Sequence, residues 1–109
     1  MPYLDTALKL EDVPVGATRC IEVGDLQVGL FCTADGLFAI DNICPHRGAP
    51  LHDGVVTDGF VTCPWHQWQF QLGDGVCRNI PKVRIATYPV EIRDGAIWVN
   101  LDEQGAEFS

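Results

Sequence analysis

Along ATYPVEIRDGAIWVNL, residues 86–101, the apolar Tyr88, Val90 and Ile92 alternate with Pro89, Glu91 and Arg93. Beyond Asp94-Gly95 the alternation resumes with Ile97, Val99 and Leu101. A two-residue period marks strands with one buried face. Asp-Gly between two such runs marks a tight hairpin, because both turn positions must tolerate positive φ. The same punctuation recurs at Gly24-Asp25, Asp35-Gly36 and Asp58-Gly59, between short runs rich in Val, Ile, Phe or Thr. Further strands are predicted at 18–23, 27–33, 37–41, 59–62 and 69–72. No segment carries a sustained helical stripe with caps. The best short candidate, 10–13, is ended almost at once by Pro14 and Gly16. The polar tail, 102–109, is expected to fray. The pattern predicts an all-β fold, a small antiparallel sandwich or barrel, with two loops interrupting it between residues 42 and 70.

The 109 residues suit one domain, 1–109, with a modest core, and 47% hydrophobic content is that of a globular chain. A formal net charge of -8 argues against nucleic acid and against an anionic membrane surface, both of which would repel it. It suits either a basic patch on a partner protein or simple solubility. No apolar run approaches the roughly 18 residues of a spanning helix. The opening MPYLDTALKLEDVPVG has acids where a secretory signal would have a basic and then an apolar region. A cytoplasmic location is expected. Five cysteines in such a chain point to metal or buried thiols rather than disulfides.

The two loops carry the chemistry. One reads Cys44-Pro45-His46 and the other Cys63-Pro64-Trp65-His66. Pro45 and Pro64 have no backbone N–H and a fixed φ, which suits a tight loop folding back on a metal. Two buried cysteines and two surface histidines would also satisfy the composition, but four such ligands in two close pairs are hard to reach by chance. A Cys2His2 zinc site in an interaction module is the competing assignment. Zinc fingers usually group thiols with thiols and imidazoles with imidazoles, whereas each loop here mixes the two. That ordering fits a two-iron cluster, one iron held by Cys44 and Cys63 and the other by His46 and His66.

The spacing C-x-H, sixteen residues, C-x2-H, with flanks PHRGAPL and CPWHQWQF and the closing Asp-Gly hairpin, resembles the Rieske ferredoxin family from about residue 13 to 101. The resemblance implies a Rieske-type [2Fe-2S] cluster. Two ferric ions, two sulfides and two thiolates sum to zero charge, so one-electron reduction meets less repulsion than in an all-thiolate cluster. The high-potential respiratory relatives carry a loop-to-loop disulfide; Ala49 and Trp65 stand at its positions. They also donate hydroxyl hydrogen bonds to sulfur, where this chain has Trp68 and Phe70. Both differences lower the expected potential. Gln67 stands where glycine usually follows the second histidine, which bears on that loop's backbone geometry.

The remaining candidates have plainer expectations. Cys20 and Cys32 fall in predicted strands as small core residues, while Cys77 lies outside the predicted strands, with room for exposure and no sign of catalysis. His52 is expected on a loop surface, one of the rim residues with Arg47 and Trp65 around the imidazoles; Trp68 is expected to pack under the loops. With His46 and His66 used, only His52 remains, so no two-histidine, one-carboxylate iron site can form. No G-x-G-x-x-G occurs for a nucleotide. The chain is therefore expected to be no enzyme but an electron carrier, monomeric when free. The resemblance implies passage of electrons from a flavoprotein reductase to a terminal oxygenase of an aromatic-ring dioxygenase system. The alternative is the small Rieske subunit of an assimilatory nitrite reductase, docked on its large subunit.

Overall fold

The structure, a computed structural model, describes residues 3–23, 26–45, 48–64 and 67–101. The expected Gly24-Asp25 turn and the tail at 102–109 lie outside the described residues. The strands are β1 (Tyr3–Lys9), β2 (Thr18–Val23), β3 (Leu26–Thr33), β4 (Gly36–Asp41), β5 (Val55–Thr57), β6 (Phe60–Thr62), β7 (Gln69–Gln71), β8 (Thr87–Tyr88), β9 (Val90–Arg93) and β10 (Ala96–Asn100). Single 3-10 turns cover Leu10–Asp12 and Leu51–Asp53. The strands form three antiparallel sheets ordered β1-β10-β9, β2-β3-β4-β8 and β5-β6-β7. None of the described helices is long and apolar enough to cross a membrane.

Alternation along β3 and β4 explains how the sheets are joined. Val28 and Leu30 of β3 and Ala39 of β4 join one core with Val13, Ala86, Tyr88, Ile97 and Val99. The intervening Phe31 and Ile40 join a second core, which holds Leu51, Val61, Phe70 and Leu72. The β2-β3-β4-β8 sheet is thus a shared wall, covered on one face by β10 and on the other by the β5-β6-β7 sheet with its loops. On the outer sheet Arg93 lies over the Trp98 and Tyr3 rings at 4.5 and 5.3 Å, tying its three strands together.

The strands at 18–23, 27–33, 37–41, 59–62 and 69–72 form within a residue of expectation at each end. Two of the Asp-Gly turns take positive φ at both positions, Asp58 (53°) with Gly59 (83°) and Asp94 (51°) with Gly95 (81°). Asp35-Gly36 does not. Thr33 pairs with Gly36, so the turn residues are Ala34 and Asp35, and Thr33 Oγ1 accepts the Asp35 N–H at 3.1 Å. β1 carries no readable period because it is an edge strand whose register shifts between Asp5 and Lys9, where Ala7 takes φ 66°. The helix candidate at 10–13 is a single 3-10 turn.

Two positions test this packing. A Cβ on Gly29 would sit 2.6 Å from Asn42 Oδ1 and 2.8 Å from Phe31 Cε1. Gly29→Ala should therefore cost about 1–3 kcal/mol, read as a lower urea midpoint. Burial, then Asp41 nearby, push the Tyr88 phenol up from 10.0 to about 12. The folded state favours the neutral phenol, so this stabilisation is complete below pH 10.0 and is lost as pH rises through about 12. Tyr88→Phe should flatten that alkaline decline in urea titrations.

Candidate metal centre

Cys44 and Cys63 occupy the same point of two loops built alike. The Cys44 N–H donates to Ala49 O at 3.0 Å and the Gly48 N–H to Cys44 O at 2.8 Å. In the second loop the Cys63 N–H donates to Trp68 O at 2.7 Å and the Gln67 N–H to Cys63 O at 3.1 Å. Four residues past each cysteine the backbone turns left-handed, at Gly48 (φ 76°) and Gln67 (φ 63°). Gln67 thus adopts the backbone of the glycine it replaces. The second loop keeps its geometry at the expense of strain at one residue.

Burial changes sharply along each loop. Both cysteines have no solvent exposure, while Pro45, Gly48, Pro64 and Gln67 are exposed. The thiols lie in the second core, against Phe31, Leu51, Val61 and Phe70. None of the five cysteines forms a disulfide. An unbound thiolate would be costly in so apolar a place, whereas a thiolate on a metal has its charge neutralised. Two soft thiols buried in one core at matching points of two loops are a donor set that fits a two-iron cluster. His46 and His66, with Arg47 and Trp65, lie outside the described residues.

The other candidates sort by burial. Cys20 and Cys32 are half-buried in β2 and β3. Cys77, outside the predicted strands, is fully buried, its N–H bonding to Val83 O at 2.9 Å and its backbone bridging Phe70. Trp68 packs half-buried on the same core, its ring 6.4 Å from that of Phe70. His52 keeps only 30% side-chain exposure, and its Nδ1 lies 2.8 Å from Asn42 Nδ2 rather than free at a rim. Asn42 itself, fully buried beside the first loop, carries no periodic or motif signal that sequence reasoning could use.

The strain at Gln67 is measurable. Gln67→Gly should raise stability by up to about 1 kcal/mol, as a higher urea midpoint with unchanged slope.

A family profile described as the Rieske [2Fe-2S] domain matches residues 5–89. The ferredoxin component of naphthalene 1,2-dioxygenase/salicylate 5-hydroxylase systems from Ralstonia sp. is 29% identical over 102 residues, covering 92% of this chain and 96% of that one. Among solved structures, the ferredoxin of carbazole 1,9a-dioxygenase from Nocardioides aromaticivorans IC177 is 25% identical at TM-score 0.81, covering 91% and 97% of the two chains. A candidate NADH-dependent nitrite reductase small subunit of Mycobacterium tuberculosis is 30% identical at TM-score 0.80, covering 89% and 92%. Other curated relatives are much longer: this chain spans 28% of the dicamba O-demethylase oxygenase component of Stenotrophomonas maltophilia and 23% of the 4beta-methylsterol monooxygenase of Methylococcus capsulatus. The matched residues contain both Cys-Pro loops and set the zinc assignment aside. This chain belongs to the Rieske [2Fe-2S] domain family and is an electron-transfer domain built for that cluster.

Proposed function

We propose that this chain is a Rieske ferredoxin, one domain over residues 1–109, carrying electrons from a flavoprotein reductase to a terminal oxygenase in the cytoplasm, as a monomer when free. Cys44 and Cys63 hold one iron and His46 and His66 the other. The observation that carries this reading is the pair of fully buried thiols at matching points of two loops whose next residues are exposed. When bound, the cluster supplies storage for one electron. Burying the two thiols excludes water from them, and the chain reaches solvent at Pro45 and Pro64, just ahead of the histidines in the sequence. The acidic balance of the chain suits steering by a basic partner surface.

Support comes also from the near-complete, reciprocal coverage with the Ralstonia ferredoxin component. The second reading, a small subunit docked on a nitrite reductase, is favoured by the 30% identity to the Mycobacterium tuberculosis chain. Gel filtration of native extract separates them: a free ferredoxin elutes at about its own 12.0 kDa, a docked subunit with a large partner.

Cys44→Ser or Cys63→Ser should abolish cluster assembly, and His46→Ala or His66→Ala should do so nearly as completely, read by iron content and visible absorption. Cys20→Ala, Cys32→Ala and Cys77→Ala should each retain the full iron. Loss of iron in any of these three with circular dichroism unchanged would contradict the ligand set.

The potential should lie in the lower half of the Rieske span of roughly -150 to +300 mV. Phe70 is fully buried in the core that holds both thiols and brings no hydroxyl to them. Phe70→Tyr should raise the potential in protein-film voltammetry if the new hydroxyl reaches a ligand sulfur.

A further inference from the structure

The second loop grows from a ladder, since Thr62 pairs with Gln69 and Val61 with Phe70 at its mouth. Among the described residues the first loop has no such ladder. Its mouth is the single bridge of Ile43 with Pro50, where Pro50 has no N–H to give and the Ile43 N–H turns to Asp41 Oδ1 at 3.1 Å. Asn42 closes the mouth instead. Its carbonyl accepts the Leu51 N–H at 2.8 Å, and its own N–H donates to Gln27 O at 2.9 Å. Its Oδ1 accepts the His52 N–H at 2.8 Å, while Nδ2 lies 2.8 Å from His52 Nδ1 and donates to Cys20 Sγ at 3.4 Å. Thr18 Oγ1 ties the far side of the turn to β2 through His52 O at 2.8 Å.

The amide orientation fixes the imidazole. Oδ1 is already used by the His52 N–H, so the amide must offer its NH2 to the ring. Nδ1 is then the acceptor and the ring proton sits on Nε2. We propose that Asn42 is the positioning residue of the first loop, holding Cys44 in place, and that this hold requires an unprotonated Nδ1 on His52. The proposal rests on the ligand assignment above. Protonating His52 sets an N–H against an NH2, and turning the amide over only moves the conflict to the His52 backbone N–H. Among the described residues Asp53 faces the ring, its Oδ1 3.5 Å from Nε2, and Cys20 of β2 meets the same amide. Burial, then Glu22 and Asp53, push the Cys20 thiol up, so it meets Asn42 as a neutral acceptor.

Hydrogen–deuterium exchange of the cluster-loaded chain, read by mass spectrometry on peptides 42–53 and 61–71 and corrected for intrinsic rates, tests this. Asn42→Ala should speed exchange in 42–53 about tenfold, the scale of one lost buried hydrogen-bond pair, with 61–71 unchanged. Iron release to a chelator at neutral pH, followed by absorbance, should quicken by a similar factor. In the wild type, 42–53 should loosen as the pH is lowered and Nδ1 takes up a proton. His52→Asn offers an acceptor near the Nδ1 position that does not titrate; it should keep the neutral-pH protection and lose that pH dependence. Should Asn42→Ala fail to fold, His52→Ala carries the test, loosening 42–53 where His52→Asn does not. Wild-type protection in Asn42→Ala or His52→Ala, equal loosening of both peptides, or a wild-type pH profile in His52→Asn would each overturn the proposal. Failure of the ligand assignment reads out separately, as a cluster retained in Cys44→Ser.

Discussion

The paired backbone hydrogen bonds around Cys44 and Cys63 are the constraint from which the rest of the site follows. Each cysteine uses its own N–H and C=O within its loop, to residues five and four positions on. A buried thiol would ordinarily bring two backbone polar groups with it that need partners. Here the loop satisfies them itself, so the sulfur can sit in an apolar core without orphaning its backbone. The prolines that follow remove one more donor at the point where the chain turns to solvent. Gly48 and Gln67 supply the left-handed residues that close the turns. The strain tolerated at Gln67 indicates how strongly the geometry is imposed by its surroundings.

The two loops are nonetheless supported differently. One continues the β6-β7 ladder, while the other departs from the shared wall and returns through a 3-10 turn. Support for the first loop therefore comes from side chains and from a glycine. Gly29 makes the space into which Asn42 reaches, and Asn42 joins β2, β3 and the turn at one buried point. A buried polar residue of this kind costs little when every group is paired and much when one is lost.

The sequence is legible where its chemistry is local. Cys-Pro-His and Cys-Pro-Trp-His state their purpose within four residues, and the strand alternation around Asp94-Gly95 states its turn. Legibility fails where pairing partners are distant or where a side chain decides the backbone. Asp35-Gly36 reads as a hairpin turn, but Thr33 Oγ1 shifts the turn back by one residue. β1 pairs with β10 across almost the whole chain, and its bulge erases the period. Cys77 looks like a loop residue because the strand pairing that buries it is a single isolated bridge. Asn42 is ordinary in sequence; only the approach of residues 20, 27, 51 and 52 gives it a role.

A one-electron carrier works best when its ligands move little between oxidation states, because any movement adds to the barrier of each transfer. The architecture serves this by burying the two thiols proposed as ligands in a core shared with Phe31 and Ile40 of the central sheet. Those two strands are packed on both faces, so the wall beside the thiols is itself held by two cores. In both loops the chain passes within one residue from a fully buried cysteine to an exposed proline. Depth thus orders the described residues: the thiols rest against the wall, and solvent begins at the proline that follows each one.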